Sequence, residues 1–202
     1  MKAIKENKQT VIDIIVQSMG NLPGVKWIIG DNPKNVGKRL RALADFVFET
    51  AFSRNGIILS EDKKGVAVFY KYNIRKSMLI DYWNQLKFAF KCTGVFRALE
   101  IQRREKYIKS QRPSSGEYLY FWIFSVLPSA RGKGAGIELK DFILAESAKQ
   151  HLPIYLETSN PQNKRVYERY GFSVYHEWFV PQRNFTLWFM KRDISQTKNI
   201  NS

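Results

Sequence analysis

Arg131, Gly132, Lys133, Gly134, Ala135 and Gly136 form the run with the most chemistry in the sequence, three glycines at alternate positions with two basic side chains among them. Glycine lacks a Cβ, so its backbone takes conformations and tolerates ligand approaches that other residues obstruct. A strand ahead of the run and a helix behind it would aim several backbone N–H groups and a positive helix end at one point, which suits a phosphate. Arg131 and Lys133 add charge there. A purely structural glycine turn is the simpler alternative. Two familiar phosphate loops fail on spacing. The dinucleotide fingerprint G-x-G-x-x-G would use Glu157, about twenty residues past Gly136, as a ribose ligand. Here, however, Gly132 and Gly134 are followed by Gly136 and Ile137. A Walker loop needs Ser or Thr after its lysine, and Lys133 is followed by Gly134.

The elements that must position this run follow from hydrophobic period. Residues 117–126 read as a central, largely buried strand, since Tyr118, Tyr120, Phe121, Trp122, Ile123 and Phe124 favour β-structure and offer no polar face. A helix over 134–150, with Leu139, Phe142, Ile143 and Ala148 inward, leads to a strand over 153–157, and that order implies a parallel pair. Pro161 opens a further helix that stops at Gly171, and 172–179 with 185–191 read as a closing antiparallel pair. Upstream, Thr10 and Asp13 suggest a cap for a helix through Val11, Ile12, Ile15 and Met19 up to Gly20. Residues 21–30 hold Pro23 and Gly24 and read as a loop with a short strand at Trp27–Ile29. Asn32 and Pro33 open a second helix, through Val36, Leu40, Leu43, Val47 and Ala51, and 56–60 with 65–71 form a hairpin. Residues 74–110 return to helical period as an insertion with a break at Thr93 and Gly94.

A chain of 202 residues is the size of one domain, able to bury about 70% of the surface its unfolded form exposes. One domain over 1–192 with a polar tail over 193–202 is the expectation. The longest nearly apolar stretch, 118–127, falls short of the roughly 20 residues of a membrane-crossing helix. The N-terminal lysines precede a segment broken by Asp13, which reads poorly as a signal peptide, so a cytoplasmic protein is expected. Cys92 is the only cysteine, and His151 and His176 lack the spacing of a zinc site, so no metal is expected. The net charge of +15 suits an anionic partner without naming it.

Arg131, Gly134, Ala135 and Gly136 fit the R/Q-x-x-G-x-G/A acyl-CoA loop of the GNAT superfamily of N-acetyltransferases, with Val126 and Pro128 placed ahead of it as in that family. Farther on, Leu156, Glu157, Thr158, Ser159, then Asn163, Tyr167, Glu168, Arg169, Gly171 and Phe172 resemble the LETS, N and YER-GF pattern of puromycin N-acetyltransferase-like members. The resemblance is good over 118–192 and covers the first 110 residues only in the order of elements. It implies an α+β GNAT fold, in which a mixed, mostly antiparallel sheet with a splayed parallel strand pair is flanked by helices. It also implies acetyl-CoA as co-substrate and a primary amine as acceptor, reacting by direct attack in a ternary complex. Main-chain groups near Phe124 and Val126 would bind the pantetheine arm like an added strand, and Arg131 to Gly136 would hold the pyrophosphate. Asn160 and Asn163 stand where the family places a polar pantetheine contact, or where helix capping would use them. An alkyl ammonium has a pKa of about 10.4, so attack at neutral pH needs a base. Glu157 is the candidate, acting directly or through water, with a structural acceptor as the alternative. Tyr167 matches the family's general acid, which protonates the departing thiolate.

Two further readings remain. The chain is also compatible with a nucleic-acid-associated protein that uses Arg97, Arg103, Arg104, Lys106, Lys109 and Arg112 with Trp83 and Tyr107, the same residues also reading as a solvated helix face. A GNAT fold that senses acyl-CoA without turnover is the third. The acceptor stays open, because Tyr82, Trp83, Phe88 and Phe90 of the insertion would either line its pocket or pack in the core.

Overall fold

The computed structural model describes residues 1–30, 32–72, 92, 95–114 and 117–194. The chain opens with α1 (Lys8–Met19), α2 (Pro23–Ile29) and α3 (Pro33–Phe52), then the hairpin β1 (Ile57–Leu59) and β2 (Gly65–Lys71). After α4 (Val95–Ser110) come β3 (Leu119–Val126), α5 (Ala135–Gln150), β4 (Ile154–Thr158), α6 (Pro161–Arg169), β5 (Ser173–Val180) and β6 (Phe185–Arg192). The six strands lie in the order β1-β2-β3-β4-β6-β5, antiparallel everywhere except between β3 and β4. This is the expected mixed α+β fold, with β3 near the centre.

Both sheet faces are covered, because strand side chains alternate and each face needs its own apolar partner. On one face α1, α2 and α3 bring Ile15, Ile29, Leu43, Val47 and Phe48 onto Leu59, Val66, Val68 and Ile123. On the other, Leu139 and Ile143 of α5 and Tyr167 of α6 pack on Phe69, Leu119, Phe121, Ile154, Leu156 and Met190. Residue 147 rather than Ala148 takes the inner position of α5, where Ser147 Oγ donates to Leu152 O (2.5 Å) and ties the helix end to the approach of β4.

Two expectations are corrected near the N-terminus. Residues 23–29 are helical rather than loop and strand, since Pro23 stands at the first helical position, where its missing N–H costs nothing. Gly24 permits a close approach, its N–H donating to Ser159 Oγ (2.9 Å), an atom only 3.0 Å from where a Cβ would stand. The first helix begins at Lys8 with Asn7 before it, so Thr10 is inside the helix and not its cap. Asn32 does cap α3, accepting from Lys34 N (3.1 Å). Of the expected insertion, 95–110 is the helix α4, while Tyr82, Trp83, Phe88, Phe90 and the break at Thr93 and Gly94 lie outside the described residues.

Candidate active site

The parallel strands β3 and β4 pair only at Leu119 with Ile154 and Tyr120 with Tyr155, although β3 runs on to Val126 and β4 to Thr158. Beyond those two pairs they diverge and leave a gap. A bulge determines what β3 presents to it. Ile123 stands opposite Val68 and Phe121 opposite Phe69, so Trp122 is an extra residue on β3 and the main-chain alternation changes phase there. Before the bulge, Leu119 N–H points to the β4 side and donates to Pro153 O (2.9 Å). After it, Leu127 N–H points the other way, to Lys64 O (2.8 Å). By that alternation the main-chain groups of Phe124 and Val126 face the gap. Val126 O is met there by Ser18 Oγ (3.2 Å) of α1. Among the described residues Phe124 N–H and C=O and Val126 N–H remain as an open strand edge.

The run from Arg131 to Gly136 follows a single 3-10 turn at Pro128–Ala130 and enters α5 directly. Gly132 and Gly134 have φ of +75° and +98°, which L side chains rarely adopt, and a Cβ built on either would meet no atom within 4 Å. Packing does not require these glycines. Their backbone conformation does, and it keeps space open before the helix. Gly134 is the residue before α5 and supplies no side-chain cap, so the first-turn N–H groups at Ala135 and beyond lack that partner. Arg131, Gly132, Lys133 and Gly134 are exposed, and Ala135 is buried. Gly136 is half-buried against Phe124 and Val126, each of which would stand 3.8 Å from a Cβ at that position.

On the other side of Phe124 a cavity of about 1620 Å³ opens between α1, α3, α4 and the diverging strands. Phe124, Glu157, Asn163 and Tyr167 line it, and Arg131 to Gly136 do not. Tyr167 is wedged among Phe121, Phe124 and Phe172 (ring centroids 5.7 to 6.5 Å apart). Its hydroxyl has no hydrogen-bond partner among the described residues, and burial pushes its pKa well above the ordinary phenol value of 10.0. Asn160 and Asn163 differ. Asn160 Oδ1 caps α6 by accepting from Gln162 N (2.8 Å), whereas Asn163 stands in the first turn facing the cavity.

Glu157 is held by a residue that, in the sequence, belongs to a basic run. Arg112 donates from Nε to Oε1 (2.7 Å) and from a terminal nitrogen to Oε2 (2.8 Å), and Tyr120 donates its hydroxyl to Oε2 (3.0 Å). Side-chain exposure is 3% for Arg112 and 7% for Glu157, so the pair is largely withdrawn from bulk solvent and meets only the cavity. The Arg112 guanidinium also stacks on the Tyr120 ring at 3.7 Å. The partners are 45 residues apart and no local pattern announces them. A carboxylate has about four lone-pair sites, and the three bonds to Glu157 leave one of these, on Oε1, for a further donor. Replacing Arg112 alone, as Arg112→Met, strands a buried charge and is expected to lower unfolding free energy by about 3–5 kcal/mol in urea titration. Adding Glu157→Leu should recover most of that loss.

The basic run therefore divides. Arg112 and Arg104 are buried or nearly so, Arg97 donates to Trp27 O (2.5 Å), and Arg103, Lys106 and Lys109 are exposed. Tyrosines gather around the ion pair, and burial raises Tyr70 to about 12 and also lifts Tyr118, Tyr120 and Tyr175. Native phenols then keep protons that unfolded ones release near pH 10, so the folded state binds more protons and stability falls as pH rises. Denaturation midpoints should hold up to about pH 10 and drop steeply toward about pH 12.

A six-stranded sheet with one diverging parallel pair and a glycine loop opening the helix between them is the architecture of the GNAT superfamily. Residues 91–172 match the model of the Acetyltransferase (GNAT) family. The chain has the GNAT fold, and the family match covers this segment of it. Among solved structures, it is similar to a histone acetyltransferase HPA2 and related acetyltransferase from Corynebacterium glutamicum (20% identity, TM-score 0.66), covering 96% of this chain and 94% of that one. It is similar also to arylalkylamine N-acetyltransferase 2 from Aedes aegypti (13%, TM-score 0.68, 96% and 97% covered). The C-terminal condensation domain of Ebony, in complex with beta-alanyl-dopamine, is a third (13%, TM-score 0.66, 95% and 96% covered). At these identities the likeness is one of fold. No protein of curated function matches the chain. Among the described residues no helix is long and apolar enough to cross a membrane, and no group of three or more His, Cys, Asp or Glu is placed to hold a metal ion.

Proposed function

We propose that this chain transfers an acetyl group from acetyl-CoA to a primary amine by direct attack within a ternary complex. The divergence of β3 from β4 after Tyr120 and Tyr155 carries the reading, because it leaves a strand edge at Phe124 and Val126 between the glycine loop and Tyr167. The site fits acetyl-CoA. An extended pantetheine arm would pair with Phe124 and Val126 as an added strand. Its pyrophosphate would meet the first-turn N–H groups of α5, with Arg131 and Lys133 beside them and Gly132, Lys133, Gly134, Ala135 and Gly136 forming the cradle. Asn163 is the better placed of the two asparagines to contact the arm, since Asn160 already caps α6.

Chemistry would occur where the arm ends in the cavity. As the amine nitrogen bonds to the acetyl carbon, the C–S bond breaks and Tyr167 O–H supplies a proton to the sulfur. We assign proton acceptance from the amine to Glu157 through a water at its remaining Oε1 site, because Arg112 and Tyr120 occupy the others. The patterns at Leu156 to Ser159 and Tyr167 to Phe172 support kinship with puromycin N-acetyltransferase-like members, without identifying puromycin as the acceptor. Calorimetric titration with acetyl-CoA, followed by thiol release over an amine panel, tests the reading. Binding with no release for any amine would make the chain a sensor instead.

A further inference from the structure

We propose that the acceptor is a small amine that also carries an anionic group, a carboxylate or a phosphate, and that Arg104 holds that group in the cavity. The proposal rests on the acetyl-transfer reading and concerns the half of the site away from the glycine loop. Among the described residues six basic side chains line the cavity, Arg54, Arg103, Arg104, Lys106, Lys109 and Arg112, against two acidic ones, Glu105 and Glu157. Both acids are already paired, Glu157 with Arg112 and Glu105 with Arg104. An acceptor amine arrives mostly as an ammonium ion at neutral pH, and a cavity with excess positive charge repels a simple alkyl ammonium. A negative group on the same molecule removes that penalty.

Arg104 is placed to bind such a group. Its side chain is only 10% exposed, and its Nε is buried with no hydrogen-bond partner among the described residues. Buried N–H groups are nearly always paired, so this one marks a place where a ligand acceptor belongs. Glu105 is its neighbour on α4, and consecutive helical side chains point in different directions, so that pair leaves the Nε edge of the guanidinium open. Nε–H and an adjacent N–H form the fork that takes carboxylate or phosphate oxygens two at a time. The Trp27 ring, 5.1 Å from the guanidinium carbon, fixes the plane of that fork. A terminal nitrogen of Arg104 comes within 3.9 Å of the Cβ position of Gly24, whose N–H is bound by Ser159 just past the end of β4. The fork therefore sits near the strand end that carries Glu157.

The test uses the full chain and acceptors paired so that only the anionic group differs: tyrosine with tyramine, lysine with cadaverine, and phosphoethanolamine with ethanolamine. Thiol release from acetyl-CoA gives kcat/KM, and calorimetry with CoA present gives acceptor affinity whether or not turnover occurs. The anionic member of at least one pair should be preferred about tenfold or more, the scale of one charge-assisted hydrogen bond. Which pair responds separates carboxylate from phosphate. Arg104→Gln should shrink that preference while leaving acetyl-CoA affinity unchanged, and the exposed-site variant Lys109→Gln should shrink it less. Equal use of both members in every pair, or preference for the uncharged tails, overturns the proposal. So does a loss of acetyl-CoA affinity in Arg104→Gln, which would assign the cations to the cofactor. Absence of turnover with selective binding of anionic amines would overturn the transfer reading alone.

Discussion

If Tyr167 is the general acid, Tyr167→Phe is expected to lower kcat by about 10²- to 10⁴-fold, the usual contribution of a positioned general acid, with acetyl-CoA affinity unchanged. The substitution is a clean probe because it keeps the ring contacts with Phe121, Phe124 and Phe172 and removes a hydroxyl that bonds to nothing among the described residues. Folding should be unaffected, which a thermal melt confirms or denies. Burial keeps the phenol protonated well past neutral pH, so loss of the acid form shows only above pH 10. A proton donor need not be acidic in the ground state, provided the departing thiolate is basic enough to take the proton as it forms, and a thiolate conjugate acid near pKa 8.5 in water becomes more basic as the site is desolvated. Steady-state rates set beside calorimetry decide the matter. Undiminished turnover would remove Tyr167 from the acid role and leave it as packing beneath the cavity.

Gly134→Val should weaken acetyl-CoA binding by about 100-fold or more, through the loss of charge-assisted N–H contacts worth roughly 1.5–3 kcal/mol each. Two effects act together. A β-branched residue resists φ of +98°, so the entry to α5 rearranges, and the new side chain fills space now open before the helix. Gly37→Ala is the control, since a Cβ at Gly37 also meets nothing within 4 Å but the residue lies inside α3 with ordinary helical backbone. It should bind normally. The Gly134 variant should stay folded, because Gly134 is exposed and packs on nothing, so retained melting with lost binding heat is the expected pair of results. Undiminished acetyl-CoA binding would show that the loop is not the phosphate cradle.

The sequence by itself determined what depends on local spacing. Three alternate glycines, a proline just past the strand 119–126 and another opening the helix 161–169 act through backbone angles that any surrounding would preserve, so the strand, helix and strand order was legible. The short β-branched runs at 57–59 and 65–71, with a charged turn between them, likewise announced a hairpin. Other features were decided only in three dimensions. Pro23 and Gly24 read as breakers until Ser159, 135 residues away, accepts the Gly24 N–H and the segment folds as helix. The bulge at Trp122 leaves no trace in a run of aromatic residues, because it is a mismatch of register with β2 and not a property of β3 alone. Arg112 reads as one more surface charge, yet it is the residue that buries Glu157 as an anion. Charge carries no address in a linear chain. Whether a guanidinium meets water, a carboxylate or an acceptor molecule is settled by burial, and burial belongs to the packing of distant elements.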